Sequence, residues 1–183
     1  MRAVFAVDNN AVMGVAGGLP WNCPAELQHF AATTRHCTVV MGRKTWESLP
    51  PAARPLRDRQ NVVLTHAVGY PAHGALVIHR PPALEWGSNT CVIGGPATLV
   101  ACAPTVVECV ITQVDACTPV EGADVLPALY RRGVRVHDVG EWRQGAGDSH
   151  RWRVLRGVLD TTGAWPDDAV PLSRILAESR VSS

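Results

Sequence analysis

The chain has 183 residues, 46% of them hydrophobic and 18% charged, with a formal net charge of +1. That size suits one domain with a substantial core, and so slight a charge gives no electrostatic case for nucleic acid or a membrane surface. The five apolar residues ahead of Asp8 are too few for a signal h-region or a membrane span, so a cytoplasmic location is expected. In chain order, short apolar and β-branched runs recur at Ala3 to Val7, Thr38 to Met41, Asn61 to Thr65, Ala75 to Ile78, Thr90 to Ile93 and Val106 to Val114. Most lack polar alternation, as strands covered on both faces do. Between them lie helix-like pieces at Pro24 to Thr34, Arg43 to Ser48 and Pro96 to Cys102, with a short turn near Pro82 to Trp86. Val134 to Val139 and His150 to Leu155, joined through a Gly-rich turn, read as an antiparallel strand pair.

This alternation predicts an α/β fold: a doubly wound, mostly parallel central sheet of about eight strands, with helices on both faces and an antiparallel C-terminal edge. After Gly157 the composition becomes that of a connector, and Pro171 to Val181 could form one short amphipathic helix. Residues 1–157 are therefore expected as the domain and 158–183 as a dispensable appendage. Six cysteines without CxxC pairing read as buried free thiols. Seven histidines without HxxxH or HExxH spacing give no metal site.

The chemistry-bearing residues gather where the strands end. Pro24 fits the first position of a helix, which puts Glu26 near the third and Phe30 one turn further on the same face. A carboxylate and an aromatic ring so disposed can hold a flat, nitrogen-rich ring; ordinary helix capping is the competing reading of the same glutamate. Gly42, followed by Arg43, Lys44 and Thr45, forms a turn onto a helix start that suits an anion. Gly94-Gly95-Pro96 forms a second such turn. Two phosphate-friendly turns on one sheet edge suggest a dinucleotide with an additional phosphate, although no GxGxxG is present.

Six segments in register carry a family resemblance: Leu19-Pro20-Trp21-Asn22 with Pro24-Ala25-Glu26-Leu27; Val39 through Leu49; Arg54-Pro55-Leu56 with Arg59 and Asn61 through Thr65; Val92 to Gly95; Ile111-Thr112 with Val114-Asp115; and Ser149 to Leu155. From residue 2 to about 156 the chain resembles dihydrofolate reductase. The resemblance implies NADPH-dependent reduction of 7,8-dihydrofolate to tetrahydrofolate, in a monomer open to antifolates such as methotrexate or trimethoprim-like compounds. It implies catalytic roles for Glu26 as the pterin-binding carboxylate, with Thr112 and Trp21 joining its network. Substrate contacts would come from Leu27, Phe30, Leu49, Leu56 and Ile93, with Arg59 pairing the substrate α-carboxylate. Cofactor contacts would come from Ala6, Met13, Gly14 and Leu19; from Gly42, Arg43, Lys44 and Thr45; from Thr65 and His66; and from Gly94, Gly95, Pro96, Ala97, Thr98 and Leu99. The Gly94–Gly95 peptide is cis in this family. Asp58 stands where the family usually has glycine, and Leu99 where it has an aromatic residue. A riboflavin-pathway pyrimidine reductase of the same fold and a catalytically silent folate-fold protein are the alternatives.

Overall fold

The first strand, β1 (Arg2–Asp8), is central to the structure, a computed structural model that describes residues 1–81, 86–160 and 169–181. It lies between β6 (Thr90–Gly94) and β7 (Glu108–Val114), parallel to both. Beyond β6 the parallel sheet continues through β3 (Thr38–Gly42), β4 (Gln60–Leu64) and β5 (Leu76–Ile78). Beyond β7 come β10 (Trp152–Leu159), β9 (Val134–Val139) and β11 (Val170–Pro171), each antiparallel to its neighbour. The expected α/β architecture is thus present, with nine strands in the main sheet among the described residues where about eight were expected.

Alternation along β1 divides the interior into two layers. Ala3, Phe5 and Val7 face one core with Ile111, Leu155, Leu99 and Tyr130. Phe5 meets Tyr130 edge-to-face, with ring centroids 5.9 Å apart. Val4 faces the other core, with Val110, Val154, Met41 and the tryptophans Trp21, Trp46 and Trp152, and Ala6 packs against it. Helices α1 (Pro24–Thr33), α2 (Arg43–Ser48) and α3 (Pro96–Cys102) follow the strands they leave, and the last two have the expected bounds. All six cysteines carry free thiols; five are buried and Cys117 is exposed.

Three features go beyond the expected elements. β2 (Val12–Val15) pairs with β8 (Ala123–Val125) in a small separate sheet, with a register shift between Val12 and Gly14. Strands of four and three residues, the first of them containing Gly14, leave no readable periodicity. Helix α4 (Ala128–Gly133) carries Arg131 and Arg132 in its last turn. Helix α5 (Leu172–Val181) forms at the expected place, but Leu172, Ile175 and Leu176 lie in the Phe5-side core. The division expected at Gly157 falls inside β10, which runs to Leu159, and α5 shares its core with the sheet. The connector at 161–168, and most of the turn expected at Pro82 to Trp86, lie outside the described residues.

Leu176 is 1% exposed. Leu176→Ala should therefore cost about 2–5 kcal/mol of unfolding free energy, and truncation after Gly157, which also cuts β10, should leave protein that does not fold. Urea unfolding of the full-length variant would check this; a loss below about 0.5 kcal/mol, the level of a surface change, would mean that α5 is peripheral.

Candidate active site

Glu26 is the one buried side chain of the ten in α1, at 3% exposure. A capping glutamate in a first turn ordinarily stays in solvent, so burial argues against the capping reading. Its carboxylate accepts a hydrogen bond from Thr112 in β7, the strand residue paired with Ala6 on one side and Val154 on the other. Desolvation raises the Glu26 pKa; the Thr112 hydrogen bond pulls it back in part, and the negative charge of Asp148 raises it again.

Asp148 is what holds this helix start in place. The N-cap residue Cys23 makes no side-chain cap. Instead, Asp148 Oδ1 accepts the Ala25 amide at 3.0 Å from 123 positions away in the chain. Its other oxygen accepts the Gly145 amide at 2.7 Å and the Trp152 indole N–H at 2.9 Å. Burial works against that charge, yet these donors keep its pKa below the usual carboxylate value. Ser149 completes the clamp, exchanging hydrogen bonds with Asn22 through its amide (2.7 Å) and hydroxyl (3.1 Å). Residue 145 must be glycine here, because a Cβ would come within 2.4 Å of the Ala25 side chain.

Ala6, Phe30, Leu49, Leu56 and Ile93 are half-buried and pack on the same core as Trp21. This apolar wall brings together Phe30, Leu49, Leu56 and Ile93 of the expected substrate contacts with Ala6 of the expected cofactor contacts, whereas Leu27 is 48% exposed and Leu19 is exposed. The Trp21 indole N–H is buried and has no hydrogen-bond partner among the described residues.

Arg59 sits at the far end of this wall. Its Nη1 donates to Thr34 Oγ1 at 3.0 Å, and its Nε donates to the Arg57 carbonyl at 2.8 Å. Partial burial lowers its pKa from the ordinary arginine value. Thr34, fully buried, donates in turn to the Phe30 carbonyl at 2.8 Å. The buried Asn61 amide exchanges hydrogen bonds with the Leu56 backbone, both at 2.9 Å, and holds the Arg59 carbonyl at 3.1 Å. Asp58 has φ +56°, a left-handed conformation that suits glycine and that aspartate tolerates, and its carboxylate pairs with Arg35 at 3.3 Å.

The two glycine turns interlock. A Cβ on Gly42 would lie 2.5 Å from Thr98 Oγ1, and one on Gly95 would lie 3.4 Å from Thr45 Oγ1. The Gly94–Gly95 peptide is cis, as expected. Arg43 is held by Glu47 at 3.0 and 3.1 Å, and Tyr70 donates to the same carboxylate at 3.0 Å. Lys44, His66 and Ala97 are exposed, Thr65 is buried, and Thr45 and Pro96 are half-buried. Gly14 is buried, and Met13 packs against the Phe5-side core. Leu99, in α3, is 0% exposed and packs in the Phe5-side core, and its carbonyl accepts a hydrogen bond from Tyr130. A separate cavity of about 230 Å³, between Trp142, Arg151, Arg153 and Glu178, contains none of the expected site residues.

The sequence model described as dihydrofolate reductase matches residues 1–151. The chain is 36% identical to dihydrofolate reductase of Mycobacterium tuberculosis over 140 residues, covering 76% of this chain and 86% of that one. It is 38% identical to the Mycobacterium leprae enzyme over 144 residues, with the same coverage. The chain belongs to the dihydrofolate reductase family. An Enterococcus faecalis dihydrofolate reductase, solved in complex with NADP(H) and RAB-propyl, superposes with a TM-score of 0.74 at 25% identity, covering 87% of this chain and 95% of that one.

Within this dihydrofolate reductase scaffold, sequence reasoning missed Asp148, Thr34 and Asn61. Asn61 left a faint signal, a polar residue opening an apolar strand, but the 123 residues between Asp148 and Ala25 left none.

Because the folded state raises the Glu26 pKa above the ordinary 4.5, it holds that proton more tightly than the unfolded chain does. Stability must then fall as pH rises through the window above 4.5. Glu26→Gln removes this loss, so thermal melts should find the variant more stable than its parent at alkaline pH. The gap should shrink as pH drops below 4.5. A gap independent of pH would contradict the buried, raised carboxylate.

Proposed function

We propose that the chain catalyses NADPH-dependent reduction of 7,8-dihydrofolate to 5,6,7,8-tetrahydrofolate. The observation that carries this reading is Glu26: the only buried side chain of α1, hydrogen-bonded to Thr112. Folate chemistry needs a carboxylate at that depth. The pterin presents a 2-amino group and a ring N3–H side by side, and a carboxylate accepts both at once. Neither a riboflavin-pathway reductase nor a silent protein has an observation in its favour.

Glu26 binds the pterin edge and polarises the ring, so that N5 becomes basic enough to gain a proton. Desolvation strengthens this interaction, since charges attract more strongly where water is excluded. Trp21, whose buried indole N–H lacks a protein acceptor among the described residues, orients the water that relays the proton. Phe30 and Leu27 pack on one side of the substrate, and Leu49 and Leu56 on the other. Arg59, its guanidinium oriented by Thr34, binds the α-carboxylate in a fork.

The interlocked turns suit a dinucleotide, because Gly42 and Gly95 let two helix starts approach one another closely. The cofactor, when bound, supplies the hydride that reaches pterin C6. Arg43, Lys44 and Thr45 would hold its phosphates, with Thr65 and His66 beside the adenosine ribose and Ala6, Ile93 and the 13–19 loop around the nicotinamide. Arg43 arrives already oriented by Glu47. A monomer working in the cytoplasm, and inhibited by antifolates, completes this reading.

Loss of NADPH absorbance with dihydrofolate present tests the activity directly. Glu26→Gln should lower turnover at neutral pH by about 10²–10⁴-fold, the usual worth of general acid–base help, and recover part of it as pH falls. Near-parental turnover would reduce Glu26 to a helix-start residue.

Arg59→Lys should raise the dihydrofolate KM far more than it lowers kcat, since a bidentate charged contact is worth about 1.5–3 kcal/mol. An unchanged KM would remove Arg59 from the substrate site.

A further inference from the structure

Helix α5 lies beyond residue 151, where the family match ends, yet its last turn reaches the strand ends beside the site. Arg180 Nε donates to the Asn9 carbonyl at 2.6 Å. Asn9 is fully enclosed, and its other polar groups are already used. Its amide donates to the Ala116 carbonyl at 2.9 Å, its Nδ2 to Asp115 at 3.0 Å, and its Oδ1 accepts from Gln113 at 2.8 Å. Ser179 Oγ ties the same Gln113 to α5, accepting from it at 3.0 Å and from Arg153 at 3.4 Å, while donating to the Ile175 carbonyl at 3.0 Å.

Asn9 is the corner at which β1 turns toward β2. The Asp8 carboxylate sets the turn by accepting the amides of Asn10 (2.9 Å), Val12 (2.8 Å) and Thr118 (2.6 Å). Beyond β2, Val15 and Gly18 exchange two 2.9 Å hydrogen bonds, and the chain then runs to Leu19, Trp21 and Glu26. Gln113 also adjoins Thr112 in β7, on the opposite face of the sheet. One end of α5 therefore holds both the root of the 13–21 loop and the strand that carries Thr112.

We infer that α5 is a positioning element for the β1–β2 corner, acting through Arg180 and Ser179, and that it sets the pose of the loop covering the nicotinamide side of the site. The second part rests on the function proposed above. A charge-assisted hydrogen bond to the backbone carbonyl of a buried corner residue resists local opening, and opening of that corner would carry the loop with it.

The test compares full-length parent, Arg180→Ala and Arg180→Lys. Amide hydrogen exchange in ligand-free protein is read at Ala11, Val12, Val15 and Gly18, each hydrogen-bonded in the structure, and at Val40 and Val62 in the distant strands. Arg180→Ala should speed exchange at residues 11–18 by about tenfold or more, as loss of a charged hydrogen bond implies, without change in β3 or β4. It should also raise the NADPH KM severalfold and leave the dihydrofolate KM unchanged. Arg180→Lys, which keeps one cationic donor, should restore both. Equal exchange in all three proteins, or faster exchange spread over the whole sheet, would overturn the inference. If the parent does not reduce dihydrofolate, the functional reading falls, and the exchange pattern alone decides the role of α5.

Discussion

Everything at the site depends on the Asp148 carboxylate. Three donors converge on it from the Ala25 amide, the Gly145 amide and the Trp152 indole. They join the start of α1 to the turn between β9 and β10, and so fix the one helix whose buried side chain is an acid. A helix with a buried carboxylate and no cap of its own gains little from self-assembly, so its position has to come from tertiary contacts. Asp148 supplies that contact, and its charge also helps to keep the Glu26 pKa raised. Mechanical support and electrostatic tuning thus come from the same group.

The sheet transmits this organisation through its period of two. Along β7, Thr112 faces α1 and bonds Glu26, while Gln113 faces α5 and bonds Asn9 and Ser179. Adjacent residues of one strand therefore serve the reaction on one face and its scaffolding on the other. Arg59 follows the same logic at the opposite end. Thr34 orients the guanidinium, and Asn61 fixes the loop it stands on, so little rotamer freedom remains to be lost when a carboxylate binds.

Much of this was legible in the residues. The bounds of α2 and α3 follow from glycine before the helix start and apolar strands on either side, and Glu26, Phe30, Arg59 and the two glycine turns stand out by local pattern and motif. Local pattern cannot report a partner distant in sequence, and each gap has that form. Asp148 reads as one more turn residue until the fold brings it to Ala25. The β2–β8 pair is too short to show alternation, and Gly14 interrupts β2. Helix α5 was visible as a helix, but its packing on the Phe5-side core was not. At Leu99 the motif position coincides with a core position, its side chain enclosed and its carbonyl bonded to Tyr130.

The central claim is that Glu26 is a desolvated carboxyl group held ready at the strand ends, and it can be read directly. Infrared difference spectra between parent and Glu26→Gln, taken across a pH titration, isolate the protonated carboxyl stretch of this one residue. The account predicts that the band is lost at a higher pH than the ordinary carboxyl value of 4.5, because desolvation raises the pKa of this group. A Glu26 band that is already lost at or below that value would contradict it.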